Sequence, residues 1–227
     1  MNVKDHYDKL YLDSLQKIKT GNYETDNLID SPGDNRFGVT LLIRPDDNVK
    51  KEIQQFLNKL RVVEPLQYYY PGTDIHVTVM SIISCYQGFT LQNIAVEEYV
   101  KVIQKSIQGF TNFTIEYKGL TASPSCLMVQ GFWNNDSLNL IRDNLRKNFG
   151  QSDLQQTIDK RYAIQTAHST VMRLKKELTR KSEFLKLIEE YRNYSFGTYT
   201  VNTLELVFND WYQRKDYVKE LYSFSLS

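Results

Sequence analysis

Apolar side chains recur along this chain with two different spacings, and the two spacings alternate. A spacing of three and four residues, typical of helices with one buried face, runs through five segments: 5–20, 48–60, 91–108, 138–148 and 182–192. Between them lie runs rich in β-branched and aromatic residues, at 37–45, 73–86, 110–120, 125–133, 163–174, 198–208 and 217–226. The pattern predicts a protein in which helices and strands are mixed.

Turn-forming residues divide this pattern into two parts. Gly21 follows the first helical segment, and the Pro32-Gly33 pair interrupts any regular element before the main series of strands begins. We therefore expect an N-terminal helical extension at 1–30 and a single domain at 31–227. Because strands and helices alternate in both halves of that domain, the pattern favours two similar lobes over two independent domains.

Two nearly identical phrases occur inside the strand-like runs. The chain reads HVTVM from His76 and HSTVM from His168, although it contains only three histidines. Alternate side chains of a strand share a face, so each phrase should project an imidazole and a hydroxyl together. The pairs are His76 with Thr78 and His168 with Thr170. The third histidine, His6, lies in the first helical segment without such a phrase, and we expect it to be structural or exposed.

The matched phrases point to paired acid–base chemistry. A lone histidine in a strand is more often structural, but two lobes facing each other would bring two imidazoles and two hydroxyls into one cleft. One neutral imidazole can take a proton from water while the other, protonated, gives a proton to a departing oxygen, because the ordinary pKa of histidine is about 6.5. Threonine hydroxyls can hydrogen-bond phosphate oxygens. Such a set suits attack of water on a phosphodiester and requires neither a metal nor a cofactor.

The paired phrases, and the order of elements from Phe37 onward, resemble the two-histidine (2H) phosphoesterases. This family includes RNA 2',3'-cyclic phosphodiesterases and the enzymes called 2'-5' RNA ligases, and it is defined by two H-x-[TS]-hydrophobic motifs. The resemblance implies an α+β, bilobal fold with two antiparallel-rich sheets related by a pseudo-two-fold axis around a central cleft, and with helices outside. It also implies that His76 and His168 are the acid–base pair, in either order, and that Thr78 and Thr170 bind phosphate.

Three further residues are candidates for substrate binding. In the family the second motif often continues to an arginine, and here Arg173 follows HSTVM directly. Strict alternation would turn Arg173 away from the face of His168, so a phosphate contact and a structural ion pair both remain open. Tyr70, just before the first phrase, and Tyr212, near the C-terminal end, could border a nucleotide, although tyrosines at strand edges are more often core and rim. The N-terminal helix is outside the family pattern and could cover a lobe or act as a lid.

Composition and charge limit the partners. The formal net charge is +1, which gives no general field for duplex nucleic acid or for an anionic membrane. The N-terminal residues carry charges throughout, which argues against a secretory signal, and no apolar run has the length of a membrane span. The two cysteines, Cys85 and Cys126, lie in apolar runs and should be buried free thiols. We expect a cytoplasmic monomer whose partner is a small nucleotide or an RNA end.

The sequence therefore predicts a metal-independent phosphodiesterase that opens a 2',3'-cyclic phosphate, on an RNA end or a nucleotide, to leave a 2'-phosphate. Two alternatives stay open. The cleft could hold a nucleotide or phosphorylated metabolite without turning it over, or the enzyme could act on another cyclic or 2'-5'-linked nucleotide.

Overall fold

The structure, a computed structural model, describes residues 2–226, so the outermost residue at each end of the predicted domain ranges lies outside it. Within this part of the chain there are five α-helices and two short 3₁₀ turns. The helices are α1 (Val3–Thr20), α2 (Asp47–Val63), α3 (Val96–Ile107), α4 (Ser137–Gly150) and α5 (Lys181–Glu190). The 3₁₀ turns are Gly72–Asp74 and Leu91–Asn93. All five predicted helices are confirmed, with α3 shorter than predicted because the 3₁₀ turn takes up its first residues.

Nine strands in residues 2–226 form two antiparallel sheets. The strands are β1 (Arg36–Ile43), β2 (Tyr68–Tyr69), β3 (Val77–Gln87), β4 (Phe113–Ser123), β5 (Cys126–Trp133), β6 (Ser169–Arg173), β7 (Ser195–Val201), β8 (Thr203–Asp210) and β9 (Lys219–Ser225). One sheet, called sheet A below, has the order β3-β1-β8-β9, and the other, sheet B, has the order β2-β6-β5-β4-β7. The predicted α+β class with two antiparallel sheets is confirmed.

The helices cover the outer faces of the two sheets. Helices α1 and α2 pack on strands of sheet B, α5 packs against α2, and α3 and α4 pack together and against strands of sheet A. Helix α2 illustrates how the local sequence sets these elements. It begins after Asp46, whose carboxylate caps the first turn by accepting a hydrogen bond from the Val49 amide. Its apolar positions from Val49 to Leu60 are buried at helical spacing. Each sheet therefore keeps its other face for the cleft.

Neither sheet is formed by one contiguous half of the chain. The segment predicted as one strand at 198–208 breaks at Asn202, so that β7 joins sheet B while β8 joins sheet A. Strand β8 pairs with β1, with Phe37 opposite Asp210. Sheet A is thus built from strands near both ends of the domain. The sequence did not predict this, because the hydrophobic pattern marks strands but does not say which strands pair.

Both strands that follow the histidines carry extra residues relative to their neighbours. The register of β3 against β1 shifts at several points, leaving Val79 and Ile82 without a partner of their own, and the register of β6 against β5 shifts at Val171. Such bulges interrupt the alternation of side chains. In β3 the partly exposed residues therefore recur every three positions, at Thr78, Ser81 and Ser84. The two histidines themselves lie one residue before these strands rather than within them.

Helix α1 covers sheet B and is not a lid over the cleft. Its side chains at Tyr7, Tyr11, Leu15 and Ile18 are buried, and the helix packs on β4. The Tyr7 hydroxyl lies in the interior, where it accepts hydrogen bonds from the amides of Gly131 and Ala167 at 3.3 and 3.1 Å and donates to the Gly131 carbonyl at 3.2 Å. The N-terminal helix thus holds the residue that precedes His168.

Replacing Tyr7 by phenylalanine should destabilise the fold by about 1–3 kcal/mol, because two buried amides and one carbonyl lose their partner while the ring still fills its site. The measurement is the free energy of unfolding in urea. Thr20→Ala provides the control, since that hydroxyl bonds backbone carbonyls at an exposed position and should change stability little. A Tyr7→Phe variant as stable as the wild type would contradict the assignment of this network.

Among residues 2–226, no helix is both long enough and apolar enough to cross a membrane.

Candidate active site

A cavity between the two lobes brings together every candidate residue of the sequence analysis. One wall of the cavity comes from the lobe of sheet A and contains His76 and Thr78. The facing wall comes from the lobe of sheet B and contains His168, Thr170 and Arg173. Tyr70 and Tyr212 line the same cavity. Residues some ninety positions apart in sequence are therefore neighbours around one space.

Each imidazole is held by a group two residues before it. The Nδ1 atom of His76 lies 2.7 Å from the carbonyl oxygen of Asp74, and the Nδ1 atom of His168 lies 2.7 Å from the Thr166 hydroxyl. A carbonyl only accepts, so Nδ1 of His76 carries a proton and Nε2 has the free lone pair in the neutral ring. The Thr166 hydroxyl can donate or accept, so His168 is free to take either tautomer.

Burial lowers the pKa of both imidazoles and favours their neutral form near pH 7. Desolvation lowers the pKa of His76 to about 4, and the charges of Arg44 and Arg173 act in the same direction. Desolvation also lowers the pKa of His168 to about 4, with further lowering by charge on His76 and by Arg142. The expectation from the ordinary pKa of histidine, that both protonation states coexist near neutrality, therefore does not hold for these two rings. A bound anion would oppose this shift, because negative charge stabilises an imidazolium.

These lowered pKa values predict a loss of stability in mild acid. A histidine with a pKa near 6.5 in the unfolded chain and about 4 in the fold binds more protons when unfolded, so stability falls as the pH drops from about 6.5 towards 4. His76→Asn should remove its share, about 1 kcal/mol or more. The stability difference between wild type and variant, measured in urea at several pH values, should therefore shrink as the pH falls through this window. A difference that stays constant from pH 7 to 4 would contradict the lowered pKa.

Arg173 faces the cavity because of the bulge at Val171. Strict alternation would have turned it away, but the extra residue in β6 restores it to the side of Thr170. Its Nε atom donates to the Tyr70 hydroxyl at 2.9 Å, and its Nη1 atom lies 3.7 Å from a carboxylate oxygen of Asp26. Arg173 is thus both at the cleft and in a loose structural ion pair, so the two readings of the sequence are not exclusive.

The two tyrosines support the cleft from behind. Both rings are buried, Tyr70 being 1% and Tyr212 0% exposed, which leaves little ring face for stacking on a base. The Tyr212 hydroxyl donates to Asp26 at 2.9 Å, and Arg173 lies over the Tyr212 ring with 5.4 Å between the guanidinium carbon and the ring centroid. Tyr70, Tyr212 and Asp26 together hold the Arg173 side chain in place.

Several residues of the cleft lie outside the site candidates of the sequence analysis. Ser81 and Ser84 line it through the three-residue spacing of β3. Asp26, from the N-terminal segment, does not line the cleft but lies against Arg173. At the rim Trp211 lies close to two guanidinium groups, with the carbons of Arg36 and Arg161 at 4.7 and 4.4 Å from its ring centroid. One signal was available for Ser81. When HVTVMS is aligned with HSTVMR, Ser81 takes the position that Arg173 has in the second phrase.

The cysteines are free, as predicted, but only Cys126 is buried. Cys85 is half-buried because it lies on the part of β3 that lines the cavity. Burial around its sulfur nevertheless raises the pKa of the Cys85 thiol to about 12, so it stays protonated at neutral pH. Within residues 2–226 no three side chains of His, Cys, Asp or Glu lie together in a way that could hold a metal ion.

Comparison with known proteins places the fold. No protein-family model matches the sequence, and a search of curated proteins finds no match. Among solved structures, the protein TT0787 of Thermus thermophilus is similar with a TM-score of 0.61 and 14% identity over 83% of this chain and 97% of that chain. E. coli LigT complexed with 3'-AMP gives a TM-score of 0.59 and 12% identity over 85% and 99%. A crystal structure of a phosphoesterase gives 0.57 and 11% over 85% and 99%.

The chain has the fold of these structural neighbours, which include a phosphoesterase and LigT. The resemblance drawn from the two histidine phrases is thus confirmed at the level of the fold. The coverage extends over nearly the whole length of each neighbour, so both lobes take part in the likeness.

Proposed function

We propose that this protein is a metal-independent phosphodiesterase that hydrolyses a 2',3'-cyclic phosphate, on a nucleotide or an RNA end, to a 2'-phosphate. The observation that carries the proposal is that one cavity is lined by a histidine and a threonine from each lobe, His76 with Thr78 and His168 with Thr170. Neither pair alone would distinguish catalysis from a structural role. Their meeting from opposite lobes supplies the two proton-transfer groups that this reaction needs.

The reaction balances with these groups alone. Water attacks phosphorus and forms a new P–O bond while the bond to the ribose 3' oxygen breaks. The proton of the water passes to the imidazole that is neutral, and the proton of the other imidazole passes to the departing 3' oxygen. The two threonine hydroxyls donate to the non-bridging oxygens, where negative charge increases in the transition state. Neutral His76 can act as the general base, because its Nε2 lone pair is free. The cleft is nearly symmetric, so His168 could instead be the base and His76 the acid.

The substrate itself supplies the charge that makes one imidazole acidic. Both rings have a pKa of about 4, well below neutral pH, so one of them must take up a proton when the phosphate binds. A phosphate anion within reach raises the pKa of a nearby imidazole, which allows this uptake. Arg173, beside Thr170 at the cleft, offers a further cation for the phosphate. The structures of LigT complexed with 3'-AMP, ATP and NADP+ support a nucleotide as the ligand.

The test is hydrolysis of the four nucleoside 2',3'-cyclic phosphates, and of short RNAs with cyclic-phosphate ends, in the presence of a metal chelator across pH 5 to 9. We expect turnover to 2'-phosphates, with a rate that depends on two ionisations. A 3'-phosphate product would mean that the bond from phosphorus to the ribose 2' oxygen breaks instead, and would contradict the proposal. Tight nucleotide binding with no turnover would instead favour a binding module, and turnover only of 2'-5'-linked substrates would favour the other nucleotide class.

A further inference from the structure

One arginine outside both histidine phrases connects them. Arg142 of α4 is 1% exposed and is among the largest fully buried side chains of the described residues. Its Nε atom donates to the Val79 carbonyl at 3.0 Å, and its Nη2 atom donates to the carbonyls of Thr78 at 3.0 Å and Thr166 at 2.7 Å. A single guanidinium thus bonds backbone atoms of both lobes.

The three carbonyls belong to the segments that set the imidazoles. Thr78 and Val79 are the second and third residues after His76, and Val79 has no partner of its own in the pairing of β3 with β1. Thr166 lies two residues before His168, and its hydroxyl is the group bonded to Nδ1 of that ring. The guanidinium is therefore bonded to the backbone beside both imidazoles.

The guanidinium of Arg142 has no carboxylate bonded directly to it among the described residues, and Asp143 and Asp159 act on its charge only at longer range. No carboxylate of residues 2–226 forms an ion pair with it, and the neighbouring Asp143 pairs instead with Arg146. Its Nη1 atom is buried and has no hydrogen-bond partner among residues 2–226. A buried cation of this kind costs stability relative to an apolar side chain of the same size. Packing alone gives no reason to keep a cation here.

We propose that Arg142 is a positioning residue, which fixes the separation and orientation of the two imidazoles by bonding the backbone of both lobes. The proposal rests on the phosphodiesterase function proposed above. A planar guanidinium suits this task because its donors point in fixed, divergent directions, whereas an ammonium has no such fork. Its charge also acts on the cleft, since Arg142 contributes to the lowered pKa of His168.

The experiment compares Arg142→Met and Arg142→Lys with a matched control, Arg192→Met. Arg192 also donates to a backbone carbonyl, that of Leu120 at 2.8 Å, and pairs with Asp8, but it does not line the cleft. The assays run below the melting temperature of every variant. Arg142→Met should lower kcat about 10²-fold with a smaller change in KM, because small displacements of catalytic groups have effects of this size. Arg192→Met should lose stability and keep kcat.

The pH dependence of kcat/KM distinguishes two effects of Arg142, namely the positions it gives the imidazoles and the influence of its charge on their pKa values. Arg142→Met removes the cation, so the pH above which kcat/KM falls should move upward. Arg142→Lys keeps the cation, so that pH should stay in place. Its kcat should fall, since a single ammonium nitrogen cannot occupy the positions of both Nε and Nη2, from which the three carbonyls are bonded. Wild-type kcat in a folded Arg142→Lys variant would overturn the proposal, as would an equal loss of kcat in Arg192→Met. Because the lysine variant decides alone, a methionine variant that fails to fold leaves the test intact.

Direct titration of the histidines distinguishes this proposal from the proposed function. The chain has three histidines, so each imidazole can be followed by NMR without any substrate. A rise in the pKa of His168 in Arg142→Met, absent in Arg192→Met, would support the placement of Arg142 even if the wild type hydrolyses none of the cyclic phosphates. Unchanged imidazole resonances and pKa values in a folded Arg142→Met variant would overturn it.

Discussion

Alanine at His76 or at His168 should lower the turnover of 2',3'-cyclic phosphates by about 10²–10⁴-fold for the lost proton transfer alone. The fold should remain, because both rings are half-buried at the cleft and each makes one hydrogen bond through Nδ1. The measurement is kcat under saturating substrate, together with the melting temperature of each variant. The double variant should be little slower than either single one, because groups that act as a unit give strongly non-additive losses.

His6→Ala is the matched control for these two variants. His6 is the third histidine of the chain, lies in α1, and does not line the cleft. Its replacement should leave kcat within about two-fold, well below the loss of one proton transfer. Near-full activity of a folded His76→Ala variant would rule out the two-histidine mechanism, whatever the substrate.

Alanine at Gly131 should destabilise the protein by about 3 kcal/mol or more, the upper range for overpacking in a core. A Cβ atom at Gly131 would lie 2.1 Å from the carbonyl oxygen of Ala167, which is the residue just before His168. The neighbour is backbone, so no side-chain rotation relieves the clash, and the segment carrying the second histidine must shift. The expected fall in melting temperature is roughly 6–12 °C for a chain of this size.

Gly150→Ala is the control for this substitution. Gly150 ends α4, and a Cβ atom there would meet nothing within 4 Å. Alanine should leave stability unchanged or raise it by up to about 1 kcal/mol, because it favours helix more than glycine does. A Gly131→Ala variant that melts with the wild type would mean that β5 and the segment before β6 are further apart than described.

The sequence was informative where the chemistry repeats and where one face is apolar. Two HxTVM phrases located the histidines and threonines of the cleft, and helical spacing located α1 to α5, because burial of one face leaves a direct trace in the order of residues. The roles of His76, Thr78, His168 and Thr170 remain predictions that the proposed assays test.

What the sequence did not reveal depends on pairing and burial. The bulge at Val171 decides which way Arg173 points, and only the register against β5 shows that bulge. Arg142 carries no motif, and its role comes from three carbonyls that meet only in the folded chain. The lowered pKa values of the two imidazoles likewise follow from desolvation, which depends on what surrounds a ring in space rather than along the chain.

The split at Asn202 has a consequence for how the protein is made. Strand β1 needs β8 as its second neighbour, and β8 is synthesised only after both histidine phrases, both strands that follow them, and all five helices. Contacts between such distant segments form slowly, because the intervening chain must first be brought together. Until then β1 has an unpaired edge, which is a surface prone to association with other chains. On the ribosome, both histidines are therefore synthesised well before sheet A is complete, and sheet A is the sheet that positions His76.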